Sequence, residues 1–413
     1  MGTNQFNLVS SLKKLKRPLH SLNKRHFSGI SQRVKAQKER VEALQRVMLT
    51  SPDQSTTREE HSERDNLNVL LKVEEKFYRQ LLRFRWTDVG DRNTAFYHQT
   101  VSQHASRNHI HFLKDGHDHM LFSMDAIKAH AADYFQGILG STDLSVSPAT
   151  SDELRTLLPF RCSELQQNYL KRDVTAAEIK ATLFAMPLIK SPGPDGYSVE
   201  FIRASWDTVG EDIIGAVREF FRNGKLLKDI NTTAIALIPK MPEACLWSDY
   251  RPISCCNIVY KLISKIIANC LKPILTECVS PNHAAFLKGH SLGENVLLAT
   301  ELIKDYNKSS CHKSAMLKID IRKSFDTVCW DFVTKMLEAQ QFPPMFINWI
   351  TECISSPRFS VAINGELASF FEGKKGLRQG DSISPYMFIM LMEVLSRLLD
   401  KAQAEGYYRL HPL

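Results

Sequence analysis

Along the first eighty or so residues, apolar side chains recur every three or four positions in a charged background: Leu8, Leu12, Leu15 and Leu19, then Val41, Leu44 and Met48, then Leu67, Leu70 and Leu71. That period puts each group on one stripe of a helix. Ser51, Pro52 and Asp53 interrupt it, so the pattern predicts a basic helix followed by two long helices within 31–83. Residues 90–94 read as a turn and the polar run 141–152 as a linker. From about 174 the pattern tightens. Thr175 is placed to cap a helix running to Met186, whereas 190–196, with two prolines and two glycines, cannot be helical. A helix is expected over 208–223, a strand over 234–238 and a helix over 259–271. The last third alternates: a strand over 315–320, helices over 331–340 and 344–355, and strands over 359–363 and 367–371. Asn364-Gly365 between that last pair is the strongest hairpin signal in the chain. A long final helix is expected to start with Ser384 as cap and Pro385 in its first turn.

Composition narrows the class. With 413 residues, 43% of them apolar and 24% charged, the chain is large enough for two or three cores, and wholesale disorder, collagen-like and coiled-coil compositions are excluded. The most apolar stretch, 386–392, stops at Glu393, far short of the ~20 residues that a membrane span needs. Nine cysteines without a CxxC pair read as buried reduced thiols. Six histidines between His98 and His119 fit no standard zinc-finger spacing, which favours solvated or nucleic-acid-facing roles.

Charge changes the picture more. Residues 1–50 hold eleven Lys/Arg against Glu39 and Glu42, a balance of +9, so with +8 overall the remaining 363 residues sum to −1. A basic arm on a near-neutral body points to phosphates or an anionic surface. The acid-free stretch 1–38 also has the composition of a mitochondrial transit peptide, but a solvated basic helix, with Leu8, Leu12, Leu15 and Leu19 at helical spacing, is the favoured reading. Lys13, Lys14, Lys16 and Arg17 are the nearest approach to a compact basic block.

Three clusters carry candidate chemistry. In 318–326, Asp320 closes an expected strand and could hold a divalent metal, or simply form a turn, while Asp326 is placed to cap the next helix. Gly376, Arg378, Gln379, Gly380 and Asp381 set a cation and an amide between two glycines, where backbone can approach a flat or phosphorylated ligand. Lys240 and Arg251, on what could be a hairpin, could clamp phosphate, Arg as a bidentate fork.

The ordered run LIPK, DYRPIS, AFLKGHS, KIDIRKSFD, INGE and GLRQGDSISPYMFIMLMEVLS resembles the reverse transcriptase domain of plant non-LTR (LINE-type) retrotransposons. The upstream segments KSPGPDGYSVEF and GDRNTAFYH resemble the region between endonuclease and polymerase in the same elements. The resemblance implies an α+β fold with fingers and a partial palm of the right-hand polymerase type, behind a helical N-terminal region. It divides the chain into a basic inter-domain region 1–140, a linker 141–173, a pre-fingers segment 174–220 and the polymerase domain 221–413. It implies RNA-directed DNA synthesis with an RNA template, a DNA primer, dNTPs and Mg²⁺, and it implies the nucleus as location. Residue by residue, it makes Asp320 the first catalytic aspartate and Asp320 with the Ile321 carbonyl the metal ligands. Lys240 and Arg251 would meet the triphosphate, Phe325 would be the gate under the sugar, and Gln379 and Gly380 would line the nucleotide pocket. Pro192, Gly193, Pro194, Asp195, Gly196 and Arg378 would face nucleic acid, and Asp326 would be structural.

Two departures matter. Two-metal nucleotidyl transfer needs carboxylates from separate strands, and the family's second set is an Asp-Asp pair. The sequence contains no Asp-Asp dipeptide, so truncation before that hairpin and the thumb, and an inactive chain, are expected. His290 stands where the family has Arg, which weakens a phosphate contact at neutral pH. The alternatives are a non-catalytic RNA- or DNA-binding remnant and a reading frame without a stable product.

Overall fold

A computed structural model describes residues 2–82, 103, 106–142, 149–283, 285–286, 292–304 and 316–409. The turn at 90–94, the GDRNTAFYH segment and His290 lie outside the described residues. The chain divides into two compact units, 10–110 and 1–9 with 111–413, the first division falling inside helix α1 (Asn4–His26).

In the smaller unit, α2 (Ile30–Thr50) and α3 (Gln54–Leu82) are the two expected helices, turned back on one another at the Ser51 to Asp53 break. Their pairing is antiparallel: Gln45 donates to Glu60 at 2.9 Å, Gln37 to Glu63 at 2.5 Å, and Ser31 meets Tyr78 at 2.8 Å. Ile30, Val34 and Val41 form the buried stripe that the spacing requires.

The larger unit opens with a ribbon, β1 (Leu113–Lys114) and β2 (Met120–Leu121), in which His117 and His119 are exposed about the Asp115 turn. Helix α4 (Met124–Leu139) follows, capped by Ser123. The stretch expected as a linker instead carries α5 (Ser151–Leu157) and α6 (Glu164–Leu170), each begun by a full capping box and each burying a leucine, Leu154 and Leu170. Thr150 with Glu153 and Ser163 with Gln166 are the S/T-x-x-E/Q signatures that a polarity reading passes over. Next come α7 (Ala176–Ala185), capped by Thr175 as expected, α8 (Val199–Ala204) and α9 (Trp206–Asn223).

The central sheet is built from β3 (Thr232–Pro239), β4 (Tyr250–Cys256), β5 (Arg358–Ile363), β6 (Glu366–Leu367) and β7 (Phe371–Glu372). β3 pairs antiparallel with β4 and parallel with β5, leaving β4 at the edge. Asn364 and Gly365 take φ of 49° and 90° and pair Ile363 with Glu366, the two-residue turn that Asn-Gly specifies. Helix α10 (Ile258–Cys278) lies almost wholly in the core and runs seven residues past the expected end at 271. Pro273 does not stop it because Pro273 and Asn269 both face outward, so the carbonyl that loses its partner is not sealed in the core. Helix α11 (Leu292–Lys304) is largely exposed, whereas α12 (Trp330–Ala339), α13 (Pro344–Ser355) and α14 (Ser384–Ala404) pack into the core.

Two expectations at the local level fail. Residues 316–320 are irregular and exposed, not a strand, because no described strand lies beside them to complete a ladder. Ser384 does not cap α14. The Ile383 carbonyl accepts from Tyr386 and Met387 N–H groups, and the Ser384 hydroxyl is buried without a partner.

Glu393 of α14 pins the end of α10 to the body. Its buried carboxylate accepts from the Ser280 N–H (2.9 Å) and hydroxyl (2.7 Å), His283 Nε2 (2.9 Å) and Arg397 Nε (2.7 Å). Burial alone would raise its pKa, but the bonds from Ser280 and Arg397 outweigh it and hold it below the ordinary glutamate value. A carboxylate depressed on folding adds stability above its unfolded pKa and loses it as pH falls through the folded value. The wild type is therefore expected to exceed Glu393→Gln in urea melts above about pH 4.5 and to lose that lead on acidification. A difference that stays constant from pH 3 to pH 7 contradicts this role of the ionised carboxylate.

Candidate nucleotide-binding site

The β3–β4 hairpin positions the two phosphate-clamp candidates. Ile238 stands opposite Arg251, and strand alternation puts Lys240 on the same face, so both exposed cations project to one side of the hairpin's loop end. The Lys240 N–H donates to the Asp249 carbonyl at 2.8 Å, and its ammonium donates to the Ser248 carbonyl at 2.8 Å. Trp247 and Tyr250 are buried beneath this end, with Trp247 Nε1 donating to His130 at 2.9 Å and the Tyr250 hydroxyl to the Ala244 carbonyl at 3.1 Å. The clamp therefore rests on an aromatic base.

The 376–381 segment is a strap between the edge strand and the turn that contains Phe325 and Asp326. Gly376 N–H donates to the Val328 carbonyl and Leu377 N–H to the Phe325 carbonyl, each at 2.7 Å, and Ser254 N–H of β4 donates to the Gln379 carbonyl at 2.9 Å. Trp330 Nε1 adds a bond to the Gly376 carbonyl at 2.7 Å. Gly376 has φ of +94°, and a Cβ there would lie 2.9 Å from the Asp326 carbonyl oxygen, so only glycine admits this approach. Gln379 and exposed Gly380 emerge beside Ile253, on the face that carries Arg251.

Arg378 is the main correction. Read from sequence as a nucleic-acid contact, it is buried, and its fork is spent inside the protein. One nitrogen donates to Asn231 Oδ1 (2.6 Å) and Thr233 Oγ1 (3.1 Å), the other to the Cys353 carbonyl (2.5 Å), and the guanidinium lies 3.8 Å from the Tyr260 ring centroid. Asp381 is buried with it, accepting from the Tyr260 hydroxyl at 2.7 Å, from Ser264 and from the Ser382 N–H at 2.6 Å. Charged residues between glycines gave no signal that separates a ligand contact from such a core knot.

The turn that follows Asp320 is held from outside the 318–326 segment. Lys323 takes φ of 54°, and its ammonium donates to the Tyr134 hydroxyl of α4 at 3.0 Å while lying 4.7 Å from that ring's centroid. Tyr134 was invisible to motif reading. Phe325 stacks on Phe388 with centroids 4.4 Å apart. Asp326 is half-buried. Burial raises its pKa, opposed by the charges of Lys323 and Lys240.

The metal expectation finds less support. Asp320 and Ile321 are exposed in the irregular stretch, and among the described residues no three His, Cys, Asp or Glu side chains converge as a metal site. One carboxylate and one carbonyl supply two of the roughly six oxygens that Mg²⁺ takes. The donor set as it stands does not fit a two-metal centre.

The 192–196 loop docks at the far end of β4. Asn257 Oδ1 accepts the Asp195 N–H at 3.1 Å and its Nδ2 donates to the Asp229 carbonyl at 2.8 Å. A Cβ on Gly193 would lie 2.4 Å from the Asn257 backbone nitrogen, so the loop's closeness to the start of α10 depends on that glycine. Pro192 and Gly196 remain exposed, with Pro194 partly so.

Residues 238–409 match the family model for reverse transcriptase (RNA-dependent DNA polymerase). The chain is 29% identical over 313 residues to the 149 kDa protein of transposon TX1 of Xenopus laevis, covering 75% of this chain and 24% of that protein. It is 24% identical over 283 residues to the Pol polyprotein of the type-2 retrotransposable element R2DM of Drosophila melanogaster, covering 65% and 26%. It is 26% identical over 244 residues to the probable RNA-directed DNA polymerase of transposon BS of the same fly, covering 58% and 27%. The chain thus spans about a quarter of the length of these relatives. Together the matches support a reverse transcriptase segment of a non-LTR retroelement.

Proposed function

We propose that this chain is the fingers and part of the palm of a LINE-type RNA-directed DNA polymerase, able to hold a nucleoside triphosphate but lacking a complete acid set for nucleotidyl transfer. The observation that carries this reading is the shared face of Lys240 and Arg251, bordered by Gln379 and Gly380. Lys supplies a point charge and Arg a planar fork to the triphosphate. Phe325 underlies the sugar, and Pro192 to Gly196 guide the template. Mg²⁺, brought by the nucleotide, would meet Asp320 and Ile321 alone. Template RNA and primer DNA are the partners, and the nucleus is the expected location.

The sequence contains no Asp-Asp dipeptide to join Asp320, where the chemistry needs carboxylates from separate strands around two metals. Primer extension on an RNA template with Mg²⁺ or Mn²⁺ is expected to give no product above an Asp320→Ala control. Product well above that control overturns the incomplete-site half of the proposal.

A further inference from the structure

Helix α10 buries most of its length, yet its outer stripe carries Lys261, Lys265 and Lys272. At 100° per residue these positions fall within about 40° of one another and extend over about 16 Å of helix. Lys190, on the loop docked against the start of α10, continues the row. Lys261 donates to the Ser191 carbonyl and so ties that loop to the helix. Burial and the neighbouring ammonium groups of Lys190 and Lys272 lower the pKa of Lys265, and burial with Lys190 lowers that of Lys261. The row repels itself.

The acids nearby do not neutralise it. Asp195 lies near Lys261 and accepts the Tyr197 N–H at 3.1 Å, Glu178 is closed in a bidentate pair with Arg172 at 2.6 and 2.7 Å, and Glu277 accepts from Gln166 at 3.0 Å. Among the described residues, Lys190, Lys265 and Lys272 form no ion pair, in contrast to Lys228, Lys335 and Lys401, which pair with Glu372, Asp331 and Glu405. Four aligned cations on a unit whose sequence is near neutral are costly in the free protein unless a polyanion lies along them. Along α10 itself no large apolar side chain is exposed beside them, and the row ends at a loop where Leu188 and Ile189 are exposed next to Lys190.

We propose that Lys190, Lys261, Lys265 and Lys272 form a track for the phosphodiester backbone of a single nucleic-acid strand along the outer face of α10. The track rests on the reading above only in taking the polyanion to be nucleic acid, and it is separate from the Lys240 and Arg251 clamp at the opposite end of β4.

The test is fluorescence anisotropy of short single-stranded RNA and DNA with the full chain across a salt series. The variant Lys190→Ala/Lys265→Ala/Lys272→Ala spares Lys261, which holds the loop. Its log–log salt slope is expected to be shallower than wild type by about 2, so wild type loses about 20-fold more affinity between about 50 and about 200 mM salt. Lys228→Ala/Lys335→Ala/Lys401→Ala removes the same net charge from paired sites and is expected to leave the slope unchanged. Equal slopes in wild type and the row variant, an equal change in both variants, or no binding by wild type overturns the track. None of those results bears on nucleotide binding by the clamp. A loss confined to RNA or shared with DNA identifies which strand the row holds.

Discussion

Arg378→Ala is expected to remove about 3–5 kcal/mol of stability, the scale on which deleting one member of a buried charged network falls. That is a large share of the 5–15 kcal/mol that holds an ordinary domain together. The substitution leaves Asn231 Oδ1, Thr233 Oγ1 and the Cys353 carbonyl without their donor, strips Asp381 of its nearby cation and opens a void against the Tyr260 ring. Arg378→Lys keeps the charge but cannot span acceptors on three residues with a planar fork, so it should fall between wild type and alanine. Because the knot joins β3, α10, α13 and the strap, its loss should also release Gln379 and Gly380 from the edge of β4. Urea unfolding gives the comparison. An alanine variant within about 1 kcal/mol of wild type contradicts a structural role for this residue.

That knot also marks where sequence stopped being informative. Elements with strong local signals were legible: the Asn364-Gly365 turn, the Thr175 cap and the helices of 331–340 and 344–355 all form within a residue or so of their expected limits. Their spacing alone puts Lys240 and Arg251 on a possible hairpin, and the ladder brings them to one face. What was not legible depends on tertiary partners. Residues 316–320 have strand composition, but a strand needs a neighbour with which to exchange hydrogen bonds. Arg378 and Asp381 carry the same letters whether they meet a ligand or each other's surroundings in a core. Tyr134, which holds Lys323, lies 189 residues away from it in the chain, beyond any local pattern.

The second large effect is on nucleotide binding. Both clamp cations are exposed, and Lys240 makes one weak commitment to the Ser248 carbonyl, so a triphosphate can take them without dismantling the fold. Hydrogen bonds between ionised groups contribute about 1.5–3 kcal/mol each, which is about 10-fold or more in affinity. Arg251→Lys is expected to lose part of this because the bidentate fork is lost while the charge stays. Neither Lys240 nor Arg251 belongs to the Arg378 knot, so variants at either position should melt with the wild type. The deciding measurement is a titration of the full chain with a fluorescent deoxynucleoside triphosphate. The expected result is a Kd raised about 10-fold or more by Lys240→Ala and by Arg251→Ala, but unchanged by Lys228→Ala. Equal affinity in all four proteins would contradict the nucleotide-binding site.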